Sequence, residues 1–294
     1  MKKTIKEKTI LITLIAICFS LIVTPSALAS YSIGFTTNEI QIMTPPSSGL
    51  EVHGKLPISG TAKIDKVWFC VRGPEEEVEV QSAEVIDGKF SIDIPLRFGP
   101  GKYTIWAGEN KTSFDGKIRF TTNNIVDDNR YVSPSHYVDC EDLEIIELSN
   151  GLVSENMTEL EKARAFHDWV AGNIEYDYQA FSDGDLGLTR ASKILENKKG
   201  VCSGYSFLYA ALCRAAGLEA KVVYGQVNAG NGWVAQQHAW NEVKVDGKWI
   251  SVDNTWDSGY IKDGSFVADL NDEYFNCSPS TLSRTHSGAE DKLY

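Results

Sequence analysis

Basic residues are scarce in this chain: 28 Lys and Arg stand against 40 Asp and Glu, a formal net charge of −12. A surface of that sign repels phosphate backbones and anionic lipid, which excludes nucleic acid as a partner. The 294 residues contain no internal repeat and no low-complexity tract, which excludes a repeat architecture. The spacings of a metal site are also missing. Asp183 and Asp185 in SDGDLG lack the remaining ligands of a calcium loop, so no metal and no cofactor is expected. Beyond residue 29 nothing reads as a membrane-spanning run, and no stable membrane insertion of the mature chain is expected.

What is present begins with a processing signal. Lys2, Lys3, Lys6 and Lys8 precede the apolar run from Thr9 to Val23, and Ala27-Leu28-Ala29 has the small-residue pattern of signal-peptide cleavage. Cys18 follows Ile17 and not the small residue of a lipoprotein site, so it belongs to the discarded segment. We expect residues 1–29 to be a signal peptide and the mature chain to be secreted or extracytoplasmic. Removing four Lys and one Glu takes the net charge from −12 to −15. Five cysteines remain, Cys70, Cys140, Cys202, Cys213 and Cys277, and an odd number leaves at least one thiol free. Spacing leaves open any pairing among Cys70, Cys140 and Cys277, because it does not give the distance a bridge needs.

Residues 30–121 carry short alternating segments, KVWFCVRG, GKFSIDIPL, GKYTIWAG and GKIRFTT, punctuated by Asp87-Gly88, Pro100-Gly101 and Asp115-Gly116. Short strands at regular intervals with turn signals between them predict an antiparallel sandwich. A polar run from Thr121 to Asn129 then breaks the pattern. The expected division is an immunoglobulin-like accessory domain over 30–125 and a second domain over 126–294.

The second domain holds the chemistry. Thr158-Glu159-Leu160-Glu161 is a capping box, opening a helix with Leu160, Ala163, Phe166, Val170 and Ile174 along one stripe. A short helix is expected from Arg190 to Glu196. The near-continuous apolar segment after Cys202, closed by Gly217, predicts a central buried helix with Cys202 in its first turn. There the positive end of the helix dipole, and any nearby imidazolium, favours a thiolate, and the Cys202 backbone N–H is a candidate oxyanion donor.

Asp246-Gly247 between QHAWNEVKV and KWISVDNT is a strong hairpin signal, since a type I′ turn needs positive φ at both central residues. If Val245 pairs with Lys248, His238 and Asp253 become diagonal neighbours on one face, while Val243, Val245, Ile250 and Val252 take the core face. A thiol, an imidazole and a carboxylate are the parts of a thiolate nucleophile, its general acid/base and the group orienting that base. Cys202, His238 and Asp253 are the candidate catalytic residues. On this strand reading, each is exchangeable for Ala without loss of the fold. From Ala220 onward the pattern is an antiparallel sheet following helices, an α+β layout.

The stretches ARAFHDWVAGNIEYD, GVCSGYSFLYAALCRAAGLEAKVVYG and QHAWNEVKVDGKWISVDNTWD resemble the catalytic core of the transglutaminase-like superfamily in its secreted bacterial form. The resemblance covers roughly residues 130–294 and implies a papain-like fold. It implies Cys202 as nucleophile, His238 as base and Asp253 as orienter. It also implies acyl transfer or hydrolysis at amide bonds of a peptide or protein, such as one at a cell surface. Crosslinking enzymes, peptidases, amidases and inactive binding modules share that fold, so all of these stay open.

The remaining polar and aromatic residues carry blander expectations. Cys213 is expected to be a small buried hydrophobe, and His167 a hydrogen-bonded packing residue. His53, His136 and His286 have no partner that spacing identifies. Glu75 to Glu79 are expected on a solvated strand or loop edge. Trp169, Tyr176, Tyr178, Tyr205, Trp240 and Trp256 are expected to build the cleft walls, most of them as core and not as contacts, with Tyr178 and Trp240 both open as oxyanion or acyl-chain contacts.

Overall fold

A computed structural model describes residues 35–45, 47–185, 187–228 and 236–294; the expected signal peptide, with Cys18, lies outside the described residues. Alternating apolar residues build eight strands in the first half: β1 (Ile40–Thr44), β2 (Leu50–Val52), β3 (Lys55–Ala62), β4 (Lys66–Arg72), β5 (Val78–Glu84), β6 (Lys89–Pro95), β7 (Gly101–Gly108) and β8 (Ile118–Asn124). They form two sheets, ordered β1-β3-β6 and β2-β8-β7-β4-β5. Every pairing is antiparallel except that of β2 with β8. One apolar cluster fills the interior, including Ile42, Ile58, Phe69, Ile94, Ile105 and Phe120. Phe35 stacks on Phe120 with ring centroids 4.9 Å apart.

The acidic run in this half departs from the expectation. On β5 the alternation is inverted, leaving Val78 55% exposed and Glu79 9% exposed. Glu79 pairs at 2.7 Å with Arg97, itself 1% exposed, and Glu77 pairs at 2.9 Å with Arg130. Of the acidic run only Glu75 and Glu76 are exposed, and Glu76 pairs with Arg72 at 3.0 Å. A buried guanidinium has to be paired, and that requirement outweighs the usual preference of Val for the inner face.

The second half contains α1 (Leu143–Leu152), α2 (Glu159–Asn173), β9 (Glu175–Tyr176), α3 (Tyr178–Ser182), α4 (Ala191–Asn197), β10 (Lys199–Gly200), α5 (Cys202–Ala215), β11 (Ala220–Val227), β12 (Gln236–Val245), β13 (Lys248–Val252), α6 (Asn254–Ser258), β14 (Gly259–Lys262), β15 (Ser265–Ala268), α7 (Pro279–Leu282) and β16 (His286–Asp291). With the first half it makes a mixed α+β chain. The Thr158 capping box is formed in full, its hydroxyl accepting from Glu161 N while Glu161 reaches back to Thr158 N. Caps of this kind are worth about 1 kcal/mol.

Helix α5 is the centre of this half. It packs against α1, α2 and α4 on one side and against β11 and β12 on the other. Twelve of its residues, Ser203 to Arg214, are buried, as an all-round apolar helix requires. Asn241 of β12 ties the sheet to it, donating Nδ2 to the carbonyls of Ser206 at 3.0 Å and Lys221 at 2.9 Å. The main sheet has the order β13-β12-β11-β16. The hairpin register is the expected one, with Val245 opposite Lys248 and Asn241 opposite Val252. Its turn has φ of 49° at Asp246 and 76° at Gly247.

Cys70, Cys140, Cys202, Cys213 and Cys277 are all free, so Cys140 and Cys277 are not bridged. Among the described residues no helix is long and apolar enough to cross a membrane.

Candidate active site

Cys202 is the first residue of α5, and the preceding Val201 offers no side-chain cap to the helix end. Backbone N–H groups and the positive dipole end therefore face the thiol side of the helix. Cys202 is half-buried and lines a cleft of about 690 Å³. Cys213, in contrast, is fully buried, and burial pushes its thiol up to about 12 despite a hydrogen bond with Tyr209.

His238 reaches the same cleft from β12, so that its ring and the Cys202 thiol line one pocket. Its Nε2 lies 2.7 Å from Asp253 Oδ2, which leaves Nδ1 for the sulfur. Burial disfavours a charged imidazole here, but the adjacent Asp253 carboxylate outweighs it and raises the His238 pKa well above its ordinary value. Asp253 is likewise buried, at 1% exposure, yet the charge and the hydrogen bond of His238 hold its carboxyl below the usual range.

Asp253 differs from the expectation in one respect. It is the residue just past β13, and it caps α6 instead of continuing the strand. Its Oδ1 accepts from the N–H of Thr255 at 2.9 Å and of Trp256 at 3.2 Å. The sequence Asp-Asn-Thr is a helix-start signal, and it ends the strand. The register still delivers the carboxylate to His238, because the hairpin pairing fixes the chain up to Val252.

The last residue of the set is one that spacing did not identify. His286, 4% exposed on β16, places Nε2 3.0 Å from the same Asp253 Oδ2. No local pattern announces it, since it arrives from the far end of the chain through the pairing of β16 with β11. His238, Asp253 and His286 have ligand atoms within 4.8 Å of one another, the spacing of a metal site. The facing atoms are two ring nitrogens and one carboxylate oxygen at 2.7 and 3.0 Å, distances that N–H···O bonds account for.

Around these groups the cleft wall is aromatic and apolar: Tyr176, Tyr178, Phe181, Trp256, Tyr260 and Phe266. Trp240 does not join them. It is 1% exposed and lies beside His238, ring centroids 6.3 Å apart, as packing. Gly225 makes room for it: a Cβ there would lie 2.5 Å from the Trp240 ring and from Ser287 O. Tyr205 is core, and Trp169 packs against the core with Lys198 over its ring at 4.4 Å.

The other candidates are structural. His167, fully buried, bonds Asp257 at 3.0 Å and Asp168 at 2.9 Å, as expected for a packing residue. Asp183 accepts from Gln179, and Asp185 from the N–H of Gly187. His136 lies between Trp68 and Tyr137, and burial lowers its pKa to about 4, with Arg190 adding to the effect.

A thiol beside an imidazole, itself held by a buried carboxylate, is an arrangement able to generate and discharge a sulfur nucleophile. Residues 146–254 match the transglutaminase-like superfamily. Human kyphoscoliosis peptidase is 34% identical over 149 residues, which are 48% of this chain and 22% of that protein. The chain thus spans about a fifth of the length of the curated relatives it matches. Among solved structures, a candidate cysteine protease from Cytophaga hutchinsonii is 18% identical with a TM-score of 0.39, covering 80% of this chain and 72% of that one. Red sea bream transglutaminase is 12% identical with a TM-score of 0.30, covering 74% and 50%.

Proposed function

We propose that this chain is an exported enzyme that performs thiol-mediated acyl chemistry on amide bonds of peptides or proteins, with Cys202, His238 and Asp253 as its reacting set. The observation that carries the reading is that Cys202, at the start of α5, and His238 line one cleft, with His238 bonded at 2.7 Å to the buried Asp253. In this reading the Cys202 sulfur attacks the substrate carbonyl carbon, and the Cys202 N–H stabilises the oxyanion. His238 gives its Nδ1 proton to the departing amine as the C–N bond breaks, leaving a thioester. Water or a second amine then attacks the thioester, losing a proton to His238 and releasing the thiol. Water yields hydrolysis and an amine yields a crosslink. Similarity to relatives named peptidases favours a peptide substrate.

The same reading keeps residues 1–29 as the export signal and 30–125 as an accessory domain that brings the catalytic part to its target. The test is to incubate the chain lacking residues 1–29 with a glutamine-containing protein and a labelled primary amine. Label incorporation identifies a transferase and new fragments identify a peptidase; both disappear in Cys202→Ala. Neither outcome across a panel of proteins would favour a binding module that retains the fold.

A further inference from the structure

We infer that His286 is a positioning residue of this site: its Nε2–H donates to Asp253 Oδ2 and keeps that carboxylate ionised and aimed at His238. The inference rests on the proposed reading of Cys202, His238 and Asp253.

The geometry holds the ring in place. His286 is the first residue of β16, opposite Val227, and its ring lies among Trp256, Trp240 and Tyr274 at centroid distances of 4.9, 5.0 and 5.3 Å. On the far side, the Thr285 hydroxyl is 2.9 Å from Nδ1, closer than its other partners Leu282 O at 3.3 Å and Tyr274 Oη at 3.4 Å. The oxygen of an ionised Asp253 only accepts, so the ring nitrogen 3.0 Å from it, Nε2, carries the proton.

Asp253 needs that donor because its situation changes during the reaction. With His238 protonated, the carboxylate has a cation at 2.7 Å. Once His238 has given up its Nδ1 proton, Asp253 is an anion at 1% exposure facing a neutral ring. An isolated buried carboxylate shifts toward its neutral form. Protonated Asp253 would no longer support the His238 imidazolium. The N–H groups of Thr255 and Trp256 satisfy Oδ1 alone, whereas His286 is the second donor to Oδ2. It therefore holds the proton on the His238 side of the pair. The titratable groups facing His286 are Asp253, His238 and Tyr274.

The test needs no substrate. The iodoacetamide alkylation rate of Cys202 at neutral pH is measured by peptide mapping in the folded chain, with thermal melts alongside. His286→Leu is expected to slow alkylation about tenfold, the effect of losing one hydrogen bond to a charged group. His286→Gln, whose amide N–H reaches the place of Nε2, is expected to stay within about threefold of the parent. In an Asp253→Ala background, His286→Leu is expected to add nothing, because its effect passes through the carboxylate. An unchanged rate in folded His286→Leu overturns the inference, as does an equal slowing in the Asp253→Ala background. If His286→Leu does not fold, Gln and Asn decide: Gln fast and Asn slow supports the role, and equal rates overturn it. Unchanged rates in His238→Ala and Asp253→Ala would instead remove the underlying triad. That result is separate from a slowed Asp253→Ala beside an unaffected His286→Leu.

Discussion

Asp253 bonds His238 at 2.7 Å across the open end of a hairpin although Asp253 itself has left the strand. One carboxylate thus performs two tasks, ending β13 by capping α6 with Oδ1 and holding the imidazole with Oδ2. The coupling of a local fold signal to the site has consequences for mutation and for pH.

Asp253→Ala is expected to lose stability as well as activity. The variant removes the cap, worth about 1 kcal/mol, and leaves His238 and His286 without their shared acceptor, worth a further 1–3 kcal/mol. Thermal melts should show Asp253→Ala well below the parent, with Cys202→Ala close to it. A melt of Asp253→Ala equal to the parent would contradict the capping role.

The His238–Asp253 pair also sets a pH window. The folded pKa of His238 is raised, so its contribution is complete below the unfolded value near 6.5 and declines as pH rises toward the folded value. The folded pKa of Asp253 is lowered, so its contribution is complete above the unfolded value near 3.9 and declines as pH falls. The Tm difference between the parent and Asp253→Asn should therefore be largest at about pH 4–6.5 and shrink into the alkaline range. A difference that grows above pH 7 would contradict the sign.

Among the five free cysteines, brief iodoacetamide treatment near pH 7 should label Cys202 first. Cys213 is fully buried with its pKa pushed up to about 12, and Cys140 is buried and pushed up to about 11. Only the thiolate reacts, so each of these has on the order of one thiol in ten thousand or fewer available. Peptide mapping checks the order, and equal labelling of Cys202 and Cys213 would be the contrary result.

Gly225→Val tests the packing beneath the imidazoles. The new side chain must displace the Trp240 ring or the Ser287 carbonyl, each 2.5 Å from the added Cβ. Overpacking of this kind costs about 1–3 kcal/mol, read as a lower Tm. Because Trp240 lies against both His238 and His286, Cys202 alkylation should slow in the same variant.

The sequence announced much of this arrangement and concealed specific parts. The capping box at Thr158, the Asp246-Gly247 turn and the all-round apolar helix after Cys202 are local signals, and each has the structure its residues imply. The hairpin register follows from the turn and the Val faces together, and it brings His238 to Asp253. His286 stayed hidden because its partner is 33 residues away and is reached only through sheet pairing. Glu77 and Glu79 read as solvated because nothing in their own segment reveals Arg97 or Arg130. The α6 start at Asp253 was legible in Asp-Asn-Thr, but it competed with the strand pattern before it.

The central claim is a covalent acyl group on Cys202, and rapid acid quench of the working enzyme followed by intact-mass and peptide mapping measures it directly. With a substrate found in the labelled-amine assay, the account predicts a transient adduct of the acyl mass on the peptide containing Cys202. The adduct should be absent in Cys202→Ala, which should also lack turnover. Turnover that persists in a folded Cys202→Ala, or an adduct mapped to another residue, would contradict it.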